Sequence, residues 1–506
     1  MTIVSTTAGK LEGLQERGLH VFRGIPFAQA PVGKLRFRAP LPHASWSGVR
    51  EAKVAGAAAP QVKGMMQDIG EPQEDCLFLN VWTPAVDNRR RPVFVWMHGG
   101  GFSTGSGTQV MYDGGAMASR GDVVVVTINY RLGALGFANL TDLLGDAHDA
   151  TANNGVRDQI AALHWVRDNI DGFGGDPECV TIAGESAGGM SIGTLVATKQ
   201  AHGLYHRAIA QSGASHHATD GSESTRITEL LLRTLDVDPG SPDKLWELPF
   251  GAIVEAQQAC GRQTVLRGPS GRQLPQGGMT LIPTVDGDLL DRQPFEILEA
   301  GEGARVPLMV GTTLEEWNFF VLLTDPKRLR IDEAGLRATS LRRIGEQGAQ
   351  AVDLYRGAID GGGDLEPWRI FSAIETDRMF RIPAIRMAEA HAAHSDTFMY
   401  LFDWQSPLME GRLGACHAID IPFVFDSLGS QFGKAFVGED ADAAVLGGQT
   451  MRAWLEFTRT GMPAHDALGA WPAYDVERRR TMYLARHCEL RTDPMGVQRA
   501  FWDGIT

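Results

Sequence analysis

Cysteine is scarce in this chain. There are five in 506 residues, Cys76, Cys179, Cys260, Cys416 and Cys488, an odd number, widely spaced and without a C-x-x-C pair. That pattern excludes a disulfide-framed scaffold and a cysteine-based zinc or dithiol site, and it fits reduced thiols. No apolar run approaches the roughly 20 residues that span a bilayer. Basic residues are outnumbered, 47 Lys and Arg against 61 Asp and Glu, for a formal charge of −14. Nucleic acid and anionic membrane surfaces are bound through Lys and Arg clusters, so neither is expected as a partner, and the charge reads as solubilising. Repeats and low-complexity tracts are absent, and the opening MTIVSTTAGKLEGLQERG has no basic region followed by an apolar core. The expectation is a cytoplasmic protein, in which the lone sequon Asn139-Leu140-Thr141 carries no weight.

Glycine, by contrast, is abundant, with 60 residues. The motif G-x-S-x-G therefore occurs three times, around Ser103, Ser186 and Ser191. A nucleophile elbow needs a buried strand entering the turn and a helix leaving it, so that the serine is forced out at the sheet edge. Ser186 has both: Cys179-Val180-Thr181-Ile182-Ala183 reads as a strand, and the segment through Ile192, Leu195 and Val196 reads as a helix whose small first residues let it start close to the strand. Ser191 falls inside that helix and reads as packing. Ser103 follows a strand, but what comes next is a loop of glycine, serine and threonine.

Residues 1–85 alternate short apolar runs with Gly and Pro, which suits small antiparallel strands. From residue 92 the pattern changes. Apolar strands at 92–97, 123–128, 179–183, 206–211, 306–310 and 397–402 are separated by helical stretches such as 158–166. Near-continuous runs such as Val123-Val124-Val125-Val126 imply strands covered on both faces, hence a mostly parallel sheet flanked by helices. Two long helical stretches, 222–262 and 326–395, interrupt the strands as insertions. Although the length alone suggests several domains, α/β enzymes often keep one enlarged fold at this size, and the reading is one elaborated α/β domain over 1–506.

His98-Gly99-Gly100-Gly101-Phe102 directly follows the strand ending at Met97. Glycines there let backbone N–H groups face a ligand with no Cβ in the way. An HGGG loop with an elbow serine is the two-part oxyanion hole of esterases and lipases, which assigns Gly100, Gly101 and Ala187 as backbone donors. The base is a histidine following the serine in chain order, which leaves His391, His394, His417, His465 and His487. His391 and His394 stand one helical turn apart, where an exposed helix face is expected over a metal pair. Composition alone does not decide among the five.

Gly24-Ile25-Pro26-Phe27-Ala28, Pro31-Val32-Gly33-Lys34-Leu35-Arg36-Phe37, Glu74-Asp75-Cys76-Leu77-Phe78-Leu79-Asn80-Val81, Asn129-Tyr130-Arg131-Leu132-Gly133 and Phe173-Gly174-Gly175-Asp176-Pro177, followed by the elbow, resemble the type-B carboxylesterase and cholinesterase family from about residue 3 to beyond 480. The likeness is greater to its bacterial members, including the p-nitrobenzyl esterase type. The resemblance implies an α/β-hydrolase fold and a serine esterase that needs no metal or organic cofactor. It implies a triad of Ser186, Glu316 and His417, with Glu315 in the acidic position just before Glu316. His417 then deprotonates Ser186, Glu316 orients the imidazole, and an acyl-enzyme forms and is hydrolysed.

The chain departs from the family pattern in places. Where animal relatives carry a loop-closing cysteine it reads Ala59-Pro60-Gln61, so Cys76 has no partner. Loop 62–74 has no tryptophan to bind a cationic alcohol. The terminus, ending at Thr506, lacks an endoplasmic-reticulum retention tetrapeptide. Trp317 stands where many relatives have glycine. With Phe102, Phe319 and Phe320 it is a candidate for the substrate pocket, although aromatic cores share that composition. The expected substrate is a small-molecule apolar ester; carbamates, hindered alcohol esters, amides or an acyl acceptor other than water use the same triad. A non-catalytic adhesion relative is disfavoured, because Ser186, Glu316 and His417 are all retained.

Overall fold

The computed structural model describes residues 1–64, 68–144, 151–263, 279–360 and 365–505. Its centre is one 13-stranded sheet. Seven strands run parallel, in the spatial order Val124–Ile128, Arg91–Met97, Gly175–Glu185, Arg207–Gln211, Leu308–Thr313, Thr397–Asp403 and Arg480–Ala485. Six of these coincide with the runs read from sequence. The seventh escaped notice because its buried part, Thr481 to Leu484, is only four residues long and is flanked by arginines. Val124–Ile128 is buried at every position, as a strand covered by helices on both faces must be.

The N-terminal strands Thr2–Ser5, Lys10–Glu16 and Leu19–Pro26 are antiparallel as expected. They join the same sheet through Phe78–Thr83, which pairs antiparallel with both Leu19–Pro26 and Val124–Ile128. Helix Asn154–Asn169 covers the stretch read as helical and buries Val156, Leu163 and Val166. The first insertion holds helices Gly221–Thr234, Asp243–Glu247 and Phe250–Gln263. The second holds Glu333–Ile344, Gly348–Asp360, Pro367–Thr376 and Ile382–Ala392, while 361–364 lie outside the described residues. This is the α/β-hydrolase arrangement. In such sheets ligands gather beyond the carboxyl ends of the parallel strands. The segments that leave strands Arg91–Met97, Gly175–Glu185, Leu308–Thr313 and Thr397–Asp403 are the ones that build the site.

Candidate active site

Strand Gly175–Glu185 hands directly to helix Ala187–Ala197, and Ser186 between them has φ 59° and ψ −124°. For a non-glycine residue such a conformation costs about 1–3 kcal/mol and persists only where the surroundings over-determine it. Ser186 N–H donates to Gln211 O (2.9 Å), and Ser186 O accepts from Met190 N–H (2.8 Å). The glycines around it are clearance between backbones: a Cβ on Gly188 would lie 2.0 Å from Met97 O, and one on Gly184 would lie 2.5 Å from the Gly188 carbonyl carbon. Ser191 packs as expected, buried, donating to Ala187 O and accepting from Gln159, both at 2.9 Å. Ser103 sits in the loop, with its hydroxyl donating to Gly101 O at 3.2 Å.

Glu316 and His417 meet across 101 residues of chain. Glu316 is fully buried; its Oε1 accepts from Thr313 N–H (2.8 Å) and its Oε2 from His417 Nδ1 (2.6 Å). An ionised carboxylate only accepts, so Nδ1 carries the hydrogen and Nε2 is left to accept a proton. Glu315 is also held by the protein. Its Oε2 accepts from Ala415 N–H (2.9 Å) and its Oε1 from Asn318 (3.3 Å), which ties down the loop that carries His417.

The loop after Met97 is held equally firmly. Gly100 and Gly101 have φ of 114° and 60°, and a Cβ on Gly100 would stand 2.2 Å from Thr104 O. His98, which burial pushes down to about 4, donates from Nδ1 to Gly99 O (2.8 Å) and stacks on Tyr130, whose hydroxyl donates to His98 O (2.7 Å). Gln61 accepts from Gly105 N–H (2.7 Å) and donates to Gly105 O (2.8 Å). All five cysteines are free. Among the described residues the N–H groups of Gly100 and Gly101 donate to no protein acceptor, and Ala187 N–H, at the first helical position, has none within its helix.

These pieces face one cavity of 490 Å³, lined at its floor by Gly100, Gly101, Ser186 and His417. Trp317, Phe319, Phe320 and Phe380 form one wall, and Met111, Met190, Met279 and Met379 fill others. Three of the four aromatic candidates thus line it. Phe102 does not: its own φ is 57°, which turns the ring under the loop, where it is fully buried edge-on against Phe137 (5.1 Å). The remaining histidines are elsewhere. His391, expected on an exposed face, is buried and bonded through Nε2 to Val306 O (2.8 Å), because its helix packs against the sheet. His394 is exposed, His465 bonds Gln449 O (3.0 Å), and His487 lines a surface groove. Among the described residues no cluster of three His, Cys, Asp or Glu side chains has the geometry to hold a metal ion.

One residue that sequence reasoning passed over stands at the centre. Glu185, buried beside Ser186, places Oε1 3.2 Å from His417 Nε2. Burial pushes its carboxyl up to about 8, with Asp420 and Glu316 adding to the shift and His417 opposing it. Burial alone would depress His417, but Glu185 and Glu316 overcome it and raise the imidazole to about 9. The two groups face each other within ion-pair distance, so the charge on each bears on the titration of the other. The signal was in the motif itself: a carboxylate ending a buried apolar strand requires a partner. Phe380, whose ring lies 4.9 Å from that of His417, gave no such signal, being one apolar residue in a helical stretch.

An elbow serine, a buried carboxylate–histidine pair and a glycine loop with free N–H groups, at the carboxyl ends of a parallel sheet, define a serine hydrolase of the α/β class. The carboxylesterase family profile matches residues 1–502. The chain is 35% identical to the para-nitrobenzyl esterase of Bacillus subtilis (98% of this chain, 97% of that one). It is 37% identical to the phenmedipham hydrolase of Pseudarthrobacter oxydans (94% and 93%). Among solved structures, a carboxylesterase of Geobacillus stearothermophilus aligns with a TM-score of 0.89 at 38% identity, covering 99% of this chain and all of the other. A thermophilic PNB esterase aligns at 0.86 and 33%, covering 99% of each. The chain belongs to the carboxylesterase family, and it is a carboxylic ester hydrolase.

Proposed function

We propose that Ser186 is the nucleophile, His417 the base and Glu316 the residue that fixes the imidazole's orientation and tautomer. His417 Nε2 takes the Ser186 proton as Oγ attacks the ester carbonyl. Gly100, Gly101 and Ala187 N–H groups receive the oxyanion, each worth about 2.7–4 kcal/mol of barrier lowering. The imidazolium then gives its proton to the departing alkoxide, and water repeats the cycle on the acyl-enzyme. Ser186 Oγ has no protein hydrogen bond among the described residues; nucleophile–base bonds in unliganded sites are commonly long and tighten with substrate. Every role is filled by a residue of the chain, so the reading calls for no cofactor.

The observation that carries this reading is the Glu316–His417 bond facing the strained elbow serine across an apolar cavity. The aromatic and methionine walls favour neutral, apolar small-molecule esters with an aromatic or medium-chain group. Aryl carbamates are a second reading, favoured by the likeness to a phenmedipham hydrolase. The five free cysteines support a reducing, cytoplasmic setting. The test is labelling by a fluorophosphonate and initial rates on p-nitrophenyl esters from acetate to decanoate, for the wild type beside Ser186→Ala. Labelling and turnover vanish in the variant; turnover that survives there overturns the assignment of the nucleophile.

A further inference from the structure

Behind the aromatic wall of the substrate cavity lies a second cavity of 290 Å³ that shares none of its lining. This volume is near the lower end of the about 300–1,000 Å³ usual for ligand clefts. The two are back to back. Trp317 and Phe380 line the first, while their neighbours Asn318 and Asp377 line the second, and Trp317 N–H donates to Thr376 Oγ1 (3.0 Å) across the partition. Both strips run into single π-helical turns, Phe320–Thr324 and Asp377–Arg381, a rare conformation that concentrates at functional sites.

The chemistry of this second lining is amphiphilic. Leu314, Leu365 and Met495 supply apolar surface. Asp377 is neutralised by Arg381, at 2.6 Å on each oxygen, and Arg369 lies over Trp368 within 3.6 Å of Glu366. Glu315 is different. It is partly exposed in the cavity, and its carboxylate is held only by neutral donors, with no cation in ion-pair range among the described residues. The same lining holds a second polar group: Gln498 is 9% exposed, and its side chain makes no hydrogen bond among the described residues.

We propose that this cavity binds a small amphiphilic ammonium ion, its charge on Glu315, its apolar body against Leu314, Leu365 and Met495, and its rim at Gln498, and that occupancy lowers turnover at Ser186. The coupling has a short route. The Glu315 carboxylate holds Ala415 N–H, two residues before His417, and Glu315 directly precedes Glu316; Asn318 binds Glu315 and Leu413 O and accepts from Ser372 (2.6 Å). An ammonium that competes for Glu315 loosens the loop that sets the His417 imidazole against Glu316, without entering the substrate cavity. Sites linked in this way change each other's affinity or turnover without sharing a ligand.

Phenethylammonium chloride at constant ionic strength is the probe. Binding is measured by calorimetry on full-length Ser186→Ala protein, so that the result does not depend on turnover. Inhibition is measured on the wild type with p-nitrophenyl acetate. Saturable binding is expected, with kcat lowered and KM unchanged. Both effects should weaken at least tenfold with neutral N-acetylphenethylamine, and at least tenfold in Gln498→Leu and Ala373→Phe, variants that keep the uninhibited rate and perturb only the second cavity. Inhibition that raises KM alone and ignores both substitutions places the amine in the substrate cavity and overturns the proposal. The absence of saturable heat overturns it as well, leaving a water-filled cavity only.

Discussion

Adding one methyl group at Gly188 should separate the two halves of the oxyanion hole. A Cβ there would stand 2.0 Å from Met97 O, 2.9 Å from Met97 C and 3.1 Å from His98 C, all backbone, where contacts under 3.0 Å essentially never occur. No side chain is available to rotate away. Relief requires about 1 Å of movement, either of helix Ala187–Ala197 with Ser186 and Ala187 N–H, or of the His98 end of its strand with Gly100 and Gly101. In either case the nucleophile and one oxyanion donor shift relative to the other two donors. Misplacement of that size costs about 10²-fold in rate, and full loss of one donor costs about 2.7–4 kcal/mol. Gly188→Ala should therefore lower kcat/KM on p-nitrophenyl acetate by about 10²- to 10³-fold, and overpacking should take about 1–3 kcal/mol from stability. Rates and fluorophosphonate labelling are measured well below the unfolding transition, with thermal melts alongside. Gly448→Ala is the control: it lies within helix Ala441–Thr460 with nothing inside 4 Å of its added Cβ, so activity should hold and stability should rise by up to about 1 kcal/mol. A Gly188→Ala enzyme with wild-type kcat/KM would refute the argument that this backbone contact sets the register of elbow and loop.

Three further outcomes are expected. As the proposed base, His417 must be neutral to act, and ionised Glu185 helps hold it charged, up to about 9; Glu185→Gln removes that attraction, so the ascending limb of kcat/KM against pH should move down by about one unit or more, at 1.4 kcal/mol per unit, whereas an unmoved limb would assign the limb to another group. Gln61→Ala leaves the buried Gly105 N–H and C=O without partners, which should cost about 1–3 kcal/mol for each in denaturant melts and lower kcat through the attached glycine loop; unchanged melts would mean that water replaces the amide. Trp317→Ala empties part of the cavity wall and should raise the decanoate-to-acetate ratio of kcat/KM about tenfold, the equivalent of roughly two methylenes at 0.8 kcal/mol each; a constant ratio would show that the acyl chain lies elsewhere.

The parts of this site that were legible in the sequence are those whose chemistry is local. The elbow declares itself because the turn needs small residues at fixed offsets from Ser186, and the atoms that Gly184 and Gly188 must clear are backbone within a few residues or on the adjacent strand. The HGGG loop is legible for the same reason. The parallel strands were readable where burial on both faces forces long runs of Val and Ile, and the seventh was missed where four buried residues sit between arginines. Non-local parts were closed to such reading. Glu316 and His417 lie 101 residues apart, and no spacing rule links them; only likeness to a family picked them from two glutamates and five histidines. Phe102 went wrong because its neighbours in the motif were right: a positive φ at one residue reverses the side chain without leaving a mark in composition.

Glu185 joins the two cases. Its position next to Ser186 was plain in the motif, yet its meaning depends on His417 arriving from the far end of the chain to face it at 3.2 Å. Burying a lone carboxylate costs far more than burying one with a cationic or proton-sharing partner. A glutamate at the end of an apolar strand therefore implies a titratable partner even before that partner is found. The strained serine and the buried glutamate are both unfavourable when considered alone; the backbone bonds to Gln211 and Met190 hold the first, and the His417 imidazole faces the second. The local conflicts in the stretch 184–188 are the features that point to chemistry rather than to packing.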